Sequence, residues 1–337
     1  MRAFVITGPG EAEVRDVAPP EAGPGEVVVR VERAGVCGTD AEFFSGAMAY
    51  LHSGQAAYPI RIGHEWSGVV AEVGREVDPA WLGRRVTGDT MLGCGTCARC
   101  AAGRRHLCAD RYEIGIRNGW PGALAERLPV PVGALQPLPD VVDPVLGALV
   151  EPGGNALRAV RGAGLSPGDR LLVLGPGTIG LLVARIAAAQ GAEVHLLGLP
   201  GPSLDFARSL GLYHAWTAGT LPDLRFDAVV DASNAADLPA LALDLVEPGG
   251  RVVYVGLAGE RSLVDTRTIA LKDVTAVGVL SASGALAGTV EMYASGLVDP
   301  RPIVAATVGL EGAAAVLAGE RLPEWGHAPK IHVDPSR

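Results

Sequence analysis

Arg170-Leu171-Leu172-Val173-Leu174-Gly175-Pro176-Gly177-Thr178-Ile179-Gly180 is the stretch on which the fold turns. A short apolar strand, Arg170 to Leu174, runs into a G-x-G-x-x-G motif, and the Ala/Leu-rich segment Leu181 to Gln190 continues as a helix closed by Gly191. Alone, such a motif is weak and is also compatible with a glycine-rich turn that holds nothing. Placed between a strand and a helix, it is in the context that dinucleotide binding requires. Gly175 makes the tight turn, Gly177 lets backbone approach a pyrophosphate, and Gly180 allows close helix–strand packing. Pro176, Thr178 and Ile179 complete the loop, and the helix N-terminus turns its positive dipole end to the phosphates.

Outward from this motif, strands alternate with helices. Glu193 to Leu197 reads as a strand, and Ser203 to Leu210 as a helix with Ser203 as N-cap, stopping at Gly211. Asp227 to Asp231, Gly250 to Leu257 and Asp273 to Leu280 are further apolar strands, and Asn155 to Arg161 is a helix closed by Gly162 and Gly164. This alternation predicts an α/β fold, a doubly wound parallel sheet covered on both faces, over residues 151–280. Residues 1–150 have a different texture. Glu26 to Glu32 and Trp66 to Val73 are Val-rich, nearly alternating strands set off by turn signals such as Gly23-Pro24-Gly25, which predicts a small, barrel-like β-rich domain. Residues 281–337 hold an Ala-rich helix, Gly312 to Leu317, and an end strand, Lys330 to Val333. They are too few for a core of their own and are expected to pack back on the first domain.

The chain has 337 residues, 48% hydrophobic and 19% charged, which excludes disorder and suits two domains. Its net charge is −9 and it has no long basic run, which argues against nucleic acid as a partner. The first residues lack the apolar core of a signal peptide, and no apolar run reaches the ~18 residues of a membrane span. A cytoplasmic protein with no membrane partner is expected.

Four of the five cysteines, Cys94, Cys97, Cys100 and Cys108, fall in a C-x2-C-x2-C-x7-C pattern within 15 positions. An odd total argues against a secreted disulfide framework. Four thiolates in one loop suit a closed, structural zinc site in a lobe at about residues 90–110, with Arg99, Arg104, Arg105 and Arg111 nearby to favour thiolate. A redox cluster and iron–sulfur ligation fit the same pattern.

Cys37 lies apart, in Gly35-Val36-Cys37-Gly38-Thr39-Asp40; Gly63-His64-Glu65 and Glu151-Pro152 follow. Spacing does not show that these meet, and each has an ordinary reading as an inert core thiol, a satisfied histidine or a solvated loop charge. Together, however, Gly63-His64-Glu65-Trp66-Ser67-Gly68-Val69-Val70-Ala71-Glu72-Val73-Gly74, the Cys37 turn, the four-cysteine lobe and the glycine motif, in this order, resemble the zinc-dependent medium-chain dehydrogenase/reductase family along nearly the whole chain.

That resemblance implies a GroES-like catalytic domain, a Rossmann nucleotide domain, and an oxidoreductase passing hydride between a small-molecule alcohol or carbonyl substrate and NAD or NADP. It implies two zinc ions, one structural and one catalytic. The catalytic ion would sit on Cys37, His64 and Glu151, with Glu65 as a neighbouring or exchanging ligand. Three protein ligands leave a position open for the substrate oxygen, where Lewis acidity favours the alkoxide that expels hydride. Glu151 resembles the polyol, sorbitol, threonine and glucose dehydrogenase branch more than the ethanol-type branch. Thr39 would take the hydroxyl proton. Three residues on, where many relatives have His, stands Glu42, as in glucose dehydrogenase-like members; a proton relay, ribose binding and an exposed helix charge all remain open for it.

Cofactor choice is read at the end of the second strand, where an acid would favour NAD. Gly198 occupies that position, and no Arg or Lys follows until Arg208, which leans the reading to NADP. The insert Phe43 to Tyr58 carries Phe43, Phe44, Tyr50, His52 and Tyr58, which suit either a sugar-like substrate or plain loop packing; Trp120 is similar. A zinc-free enoyl or quinone reductase of the same fold is the alternative enzyme, and a non-catalytic nucleotide-binding protein the alternative class. The resemblance also implies a homodimer or homotetramer, with the strand at Asp273 to Leu280 as the contact.

Overall fold

The computed structural model describes residues 1–337. Six strands form one sheet in the order Ala215–Trp216, Glu193–Leu197, Arg170–Leu174, Phe226–Asp231, Val246–Tyr254 and Thr275–Gly278. Every neighbouring pair is parallel. Parallel neighbours need long crossovers, and the helices Thr178–Ala189, Pro202–Ser209, Leu238–Leu245 and Thr266–Leu271 supply them. The central strand shows why both faces are covered. Leu171 and Val173 join a core with Leu181, Ala184 and Leu157. Leu172 and Leu174 point the other way, into a core with Phe226 and Leu243. Strand order reverses between Arg170–Leu174 and Phe226–Asp231, the switch point where open α/β sheets bind ligands.

The other large sheet runs Val304–Val308, Lys330–Val333, Glu26–Gly35, Glu65–Val73, Arg85–Gly88 and Leu135–Pro137, with Arg127–Pro131 also paired to Glu26–Gly35. Its interior holds Phe4, Phe43, Ile62 and Trp66, all fully buried. Residues from the end of the chain thus complete the sheet begun near its start. The two cores are not cut at one residue: Leu138, Val142, Leu146 and Leu149 pack with the parallel-sheet core. No helix is long and apolar enough to cross a membrane.

Several elements differ from the sequence reading. The helix placed at Asn155 to Arg161 spans Val150–Ala163 and caps on Gly164 at φ 64°. Pro152 therefore sits in its first turn, where a missing N–H costs nothing, and Glu151 is a buried helix residue rather than a loop charge. Ser203 is not an N-cap; Gly201 holds that position and Pro202 opens the helix. The strand expected over Asp273 to Leu280 is limited to Thr275–Gly278.

Candidate functional site: two cysteine-bearing clusters and a glycine-rich turn

Sheet register builds the first cluster. Gly35, at the end of one strand, pairs with Glu65, at the start of its antiparallel neighbour. Cys37 and His64 lie just beyond those ends and are drawn together. On the other side Gly35 pairs with His332, and the Val36 N–H donates to Ile331 O at 3.0 Å, which carries Lys330 to the same place. Cys37, His64 and Glu65 each bring a ligand atom within 4.8 Å of the others.

Three neighbours shape this set. Asp40, fully buried in the helix Gly38–Ser45, accepts from the N–H of Cys37 at 2.9 Å and of Gly63 at 3.2 Å. Its Oδ1 lies 3.6 Å from His64 Nδ1, a buried nitrogen without a hydrogen-bond partner. Burial works against a charged His64, but Asp40 and Cys37 outweigh it and hold the imidazole well above its usual range. Such a thiol–imidazole–carboxylate set attracts a proton or a cation in its place, and the donor types fit zinc. Lys330 Nζ donates at 2.7 Å to both oxygens of Glu65, both residues being 2% exposed. Glu65 is thereby satisfied as an ion pair. Releasing it to a cation would leave a buried ammonium unpaired.

Glu151 stands at the edge of the set. Its oxygens are not among the ligand atoms gathered within 4.8 Å, and Oε1 accepts from Asn155 Nδ2 at 2.9 Å. Burial, with Glu65 adding repulsion, raises its carboxyl to about 7, while His64, Asn155 and Lys330 pull the other way. It therefore shares the field of the cluster without sharing its ligand geometry. Thr39 and Glu42 lie in the helix that begins after Cys37, both half-buried; burial raises the Glu42 carboxyl.

The second cluster is local. Cys94, Cys97, Cys100 and Cys108 converge within 4.8 Å, Cys100 and Cys108 buried and Cys94 exposed. Sγ–Sγ separations of 4.0 Å (Cys94–Cys100) and 3.9 Å (Cys97–Cys108) are far from a disulfide. They approach the ~3.8 Å edge of a tetrahedron with zinc–sulfur bonds of about 2.3 Å. Backbone N–H groups of Cys94 and Cys97 point at Sγ of Cys108 and Cys94, at 3.5 and 3.4 Å. The side chain and N–H of Thr96 lower the Cys94 thiol to about 6, whereas burial pushes Cys100 up to about 11. The antiparallel pair Met91–Leu92 and Tyr112–Glu113 closes the base of this lobe.

The glycine-rich turn has the geometry its motif requires. Gly175 has φ +99°; a Cβ on Gly180 would lie 1.8 Å from Gly175 O; one on Gly177 would meet nothing within 4 Å, leaving its approach open. A Cβ on Gly198 would lie 2.7 Å from Pro176 Cγ, so the strand end carrying Gly198 is packed against the motif itself. Arg208 is engaged with Asp205 and Ala215 O.

Sequence reasoning gave no role to Asp40, Asn155 or Lys330. Asp40 was visible as a carboxylate three residues beyond Cys37 at a helix start. Lys330 is one of only two lysines in a chain otherwise served by arginine. Asn155 follows Glu151 by one helical turn, which is legible only once the helix is known to begin before Glu151.

Known families and solved structures match the chain across both of its sheets. The model of the alcohol dehydrogenase GroES-like domain matches residues 23–140, and that of the zinc-binding dehydrogenase matches residues 178–295. L-threonine 3-dehydrogenase of Rhizobium etli is 31% identical over 294 residues, 83% of each chain. A zinc-binding dehydrogenase from Sinorhizobium meliloti, solved bound to NADP, is 28% identical over 99% of each chain with a TM-score of 0.89. Galactitol-1-phosphate dehydrogenase from Escherichia coli is 26% identical over 99% of this chain and 100% of its own, with a TM-score of 0.87. The chain belongs to the zinc-dependent medium-chain dehydrogenase/reductase family, with its GroES-like domain and Rossmann sheet. It is a zinc-dependent, nicotinamide-linked oxidoreductase acting on alcohol substrates.

Proposed function

We propose that this enzyme oxidises a secondary alcohol of polyol or sugar-like type, or reduces the matching ketone, using a catalytic zinc held by Cys37, His64 and Glu151. A second, structural zinc is assigned to Cys94, Cys97, Cys100 and Cys108. The observation that carries this reading is the convergence of Cys37 and His64 at the ends of paired strands, with Glu151 buried within the electrostatic reach of His64 while Glu65, the third group gathered there, is taken up by Lys330. When bound, the catalytic cation supplies Lewis acidity to the reacting oxygen. The chain's residues do the rest. Asp40 orients His64, as carboxylates behind metal-binding histidines do. Asn155 holds Glu151, and Lys330 keeps Glu65 paired. Thr39 Oγ1 takes up the hydroxyl proton while giving its own onward, and the Glu42 carboxylate accepts that proton and releases it to solvent. When bound, the nicotinamide would supply the hydride acceptor, and Gly175, Pro176, Gly177, Thr178, Ile179 and Gly180 would hold its pyrophosphate. Gly198 in place of an acid leaves no charge to repel a 2′-phosphate, and the NADP-bound Sinorhizobium relative supports NADP as the preferred cofactor.

The galactitol-1-phosphate and threonine dehydrogenases among the relatives support a substituted secondary alcohol rather than a simple one. We further read the chain as a GroES-like catalytic domain (1–150), a Rossmann domain (151–280) and a returning segment (281–337). It is assigned to the cytoplasm as a homodimer or homotetramer joined through the Thr275–Gly278 edge. The test is zinc analysis with reduced-nicotinamide absorbance across an alcohol panel. Two zinc per chain with turnover supports the reading. Enone reduction without zinc contradicts it.

A further inference from the structure

Arg117 has no role in the reaction described above, and its environment is incomplete. It is 9% exposed, and its Nε and Nη1 are buried without hydrogen-bond partners. The carboxylate beside it, Glu113, is 3% exposed, with Oε1 3.9 Å from Arg117 Nη1. That oxygen already accepts from Arg111 Nε at 2.8 Å and from the Tyr50 hydroxyl at 3.3 Å. Two guanidinium groups thus share one carboxylate, and Arg117 holds the weaker share. Guanidinium does not deprotonate, and a buried charge is costly unless it is paired. The Tyr50 ring, its centre 5.6 Å from Arg117 Cζ, attracts the cation without neutralising it.

The location is as telling as the charge. Gly115, in the same turn, is pressed so close to Gly63 that a Cβ there would lie 2.8 Å from Gly63 O. The Ile114 N–H donates to Thr90 O at 3.0 Å, and Thr90 Oγ1 donates to His64 O at 3.3 Å. The turn carrying Arg117 is therefore braced directly on the segment that presents His64. The insert between Cys37 and His64 meets it through Tyr50 and through Gln55 O, which accepts from the Asn118 N–H at 2.8 Å. The turn that carries this incompletely neutralised guanidinium thus lies between the two segments that present Cys37 and His64.

We propose that Arg117 recognises an anionic group, a carboxylate or a phosphate monoester, carried by the alcohol substrate. This deepens the proposed function and rests on the reading of Cys37 and His64 as the reaction centre. Nε and Nη1 are covered as they stand, so the side chain would turn to present its fork of donors to the oxyanion, which would satisfy them as carboxylates and phosphates satisfy arginine elsewhere. Glu113, Arg111 and Tyr50 position that fork.

The test compares sorbitol, sorbitol phosphate and gluconate as substrates of the zinc-loaded enzyme, in wild type, Arg117→Met and Arg117→Lys. One charged substrate is expected to exceed the neutral polyol in kcat/KM by roughly tenfold to a hundredfold, and which one it is separates phosphate from carboxylate. Arg117→Met should abolish that preference, mainly through KM, while leaving sorbitol within about threefold; Arg117→Lys should recover part of it. Equal use of neutral and charged substrates by wild type overturns the proposal. So does an equal loss for both in Arg117→Met, which would mark Arg117 as a brace for the insert. Calorimetry of inorganic phosphate and acetate on the same proteins decides the matter if none of the three alcohols turns over. Binding by wild type but not by Arg117→Met then supports the anion site while the reaction reading fails. Absence of anion binding in wild type overturns the anion site itself.

Discussion

The two cysteine-bearing regions of this molecule are assembled in opposite ways. The lobe takes four like ligands from 15 consecutive positions, closed at its base by a short strand pair. The other set, as proposed, draws unlike residues from three elements: sheet register brings Cys37 and His64 together beyond paired strand ends, and Glu151 stands beside them in the helix Val150–Ala163. The lobe's donors are all sulfur, with no position left for a reactant. The dispersed set is surrounded by groups that hold, orient or neutralise, namely Asp40, Asn155 and Lys330. On the proposed reading, the closed, local site serves stability and the open, dispersed one serves chemistry.

Substitutions should separate the two. The largest effect is expected at Cys37→Ser, with loss of one zinc and of turnover by a thousandfold or more, while the lobe zinc and the melting temperature stay close to wild type; metal analysis and kinetics read both. Cys100→Ser should do the reverse. A structural metal contributes folding free energy, so this variant should lose several kcal/mol of stability, on the order expected for losing a metal, seen as an earlier thermal transition. Residual folded enzyme should keep its KM. If either variant behaves like the other, the division between the sites fails.

Asp40→Asn tests the shell around the dispersed set. Carboxylates behind metal-binding histidines are worth about 10- to 100-fold in metal affinity or activity, and a loss in that range with the lobe zinc unchanged is expected. Equilibrium dialysis against a zinc buffer measures it.

What was legible in the sequence follows the same division. The lobe and the glycine motif are contiguous, so their chemistry is written in neighbouring residues. Gly175, Gly177 and Gly180 have the conformation, open approach and close contact that the motif implies. Cys37, His64 and Glu151 were reachable only through family resemblance, because strand pairing is a long-range property. Lys330 was out of reach for the same reason, since its meeting with Glu65 depends on the last strand joining the first sheet. Glu151 lies in a helix that the sequence reading starts only at Asn155; Pro152 gives no local sign of the earlier start, although proline is well placed in a first helical turn.

A smaller effect concerns His332, fully buried on the strand that delivers Lys330, with both ring nitrogens unpartnered. Burial, aided by Lys330 and Arg33, lowers its pKa to about 3. The unfolded chain therefore binds this proton near pH 6.5 and the folded chain does not. Stability should fall as pH drops from about 6.5 towards 3, by up to about 1.4 kcal/mol per pH unit from this residue. His332→Phe should flatten that slope in denaturant titrations.

The smallest expected effect is on cofactor choice. Because a side chain at Gly198 meets Pro176, Gly198→Asp alone should weaken both cofactors. The double variant Pro176→Ala/Gly198→Asp should move the kcat/KM ratio towards NAD by roughly tenfold, about 1.4 kcal/mol. An unchanged ratio would show that Gly198 does not face the ribose.

The central claim, two metal sites of different kind, is tested most directly by timed chelation, with zinc content, activity and thermal transition followed on the same samples. The account predicts two phases. One zinc per chain leaves first, taking all activity with it and leaving the fold intact; the second leaves only as the lobe unfolds. Loss of both ions in a single phase, or full activity after the first has gone, would contradict it.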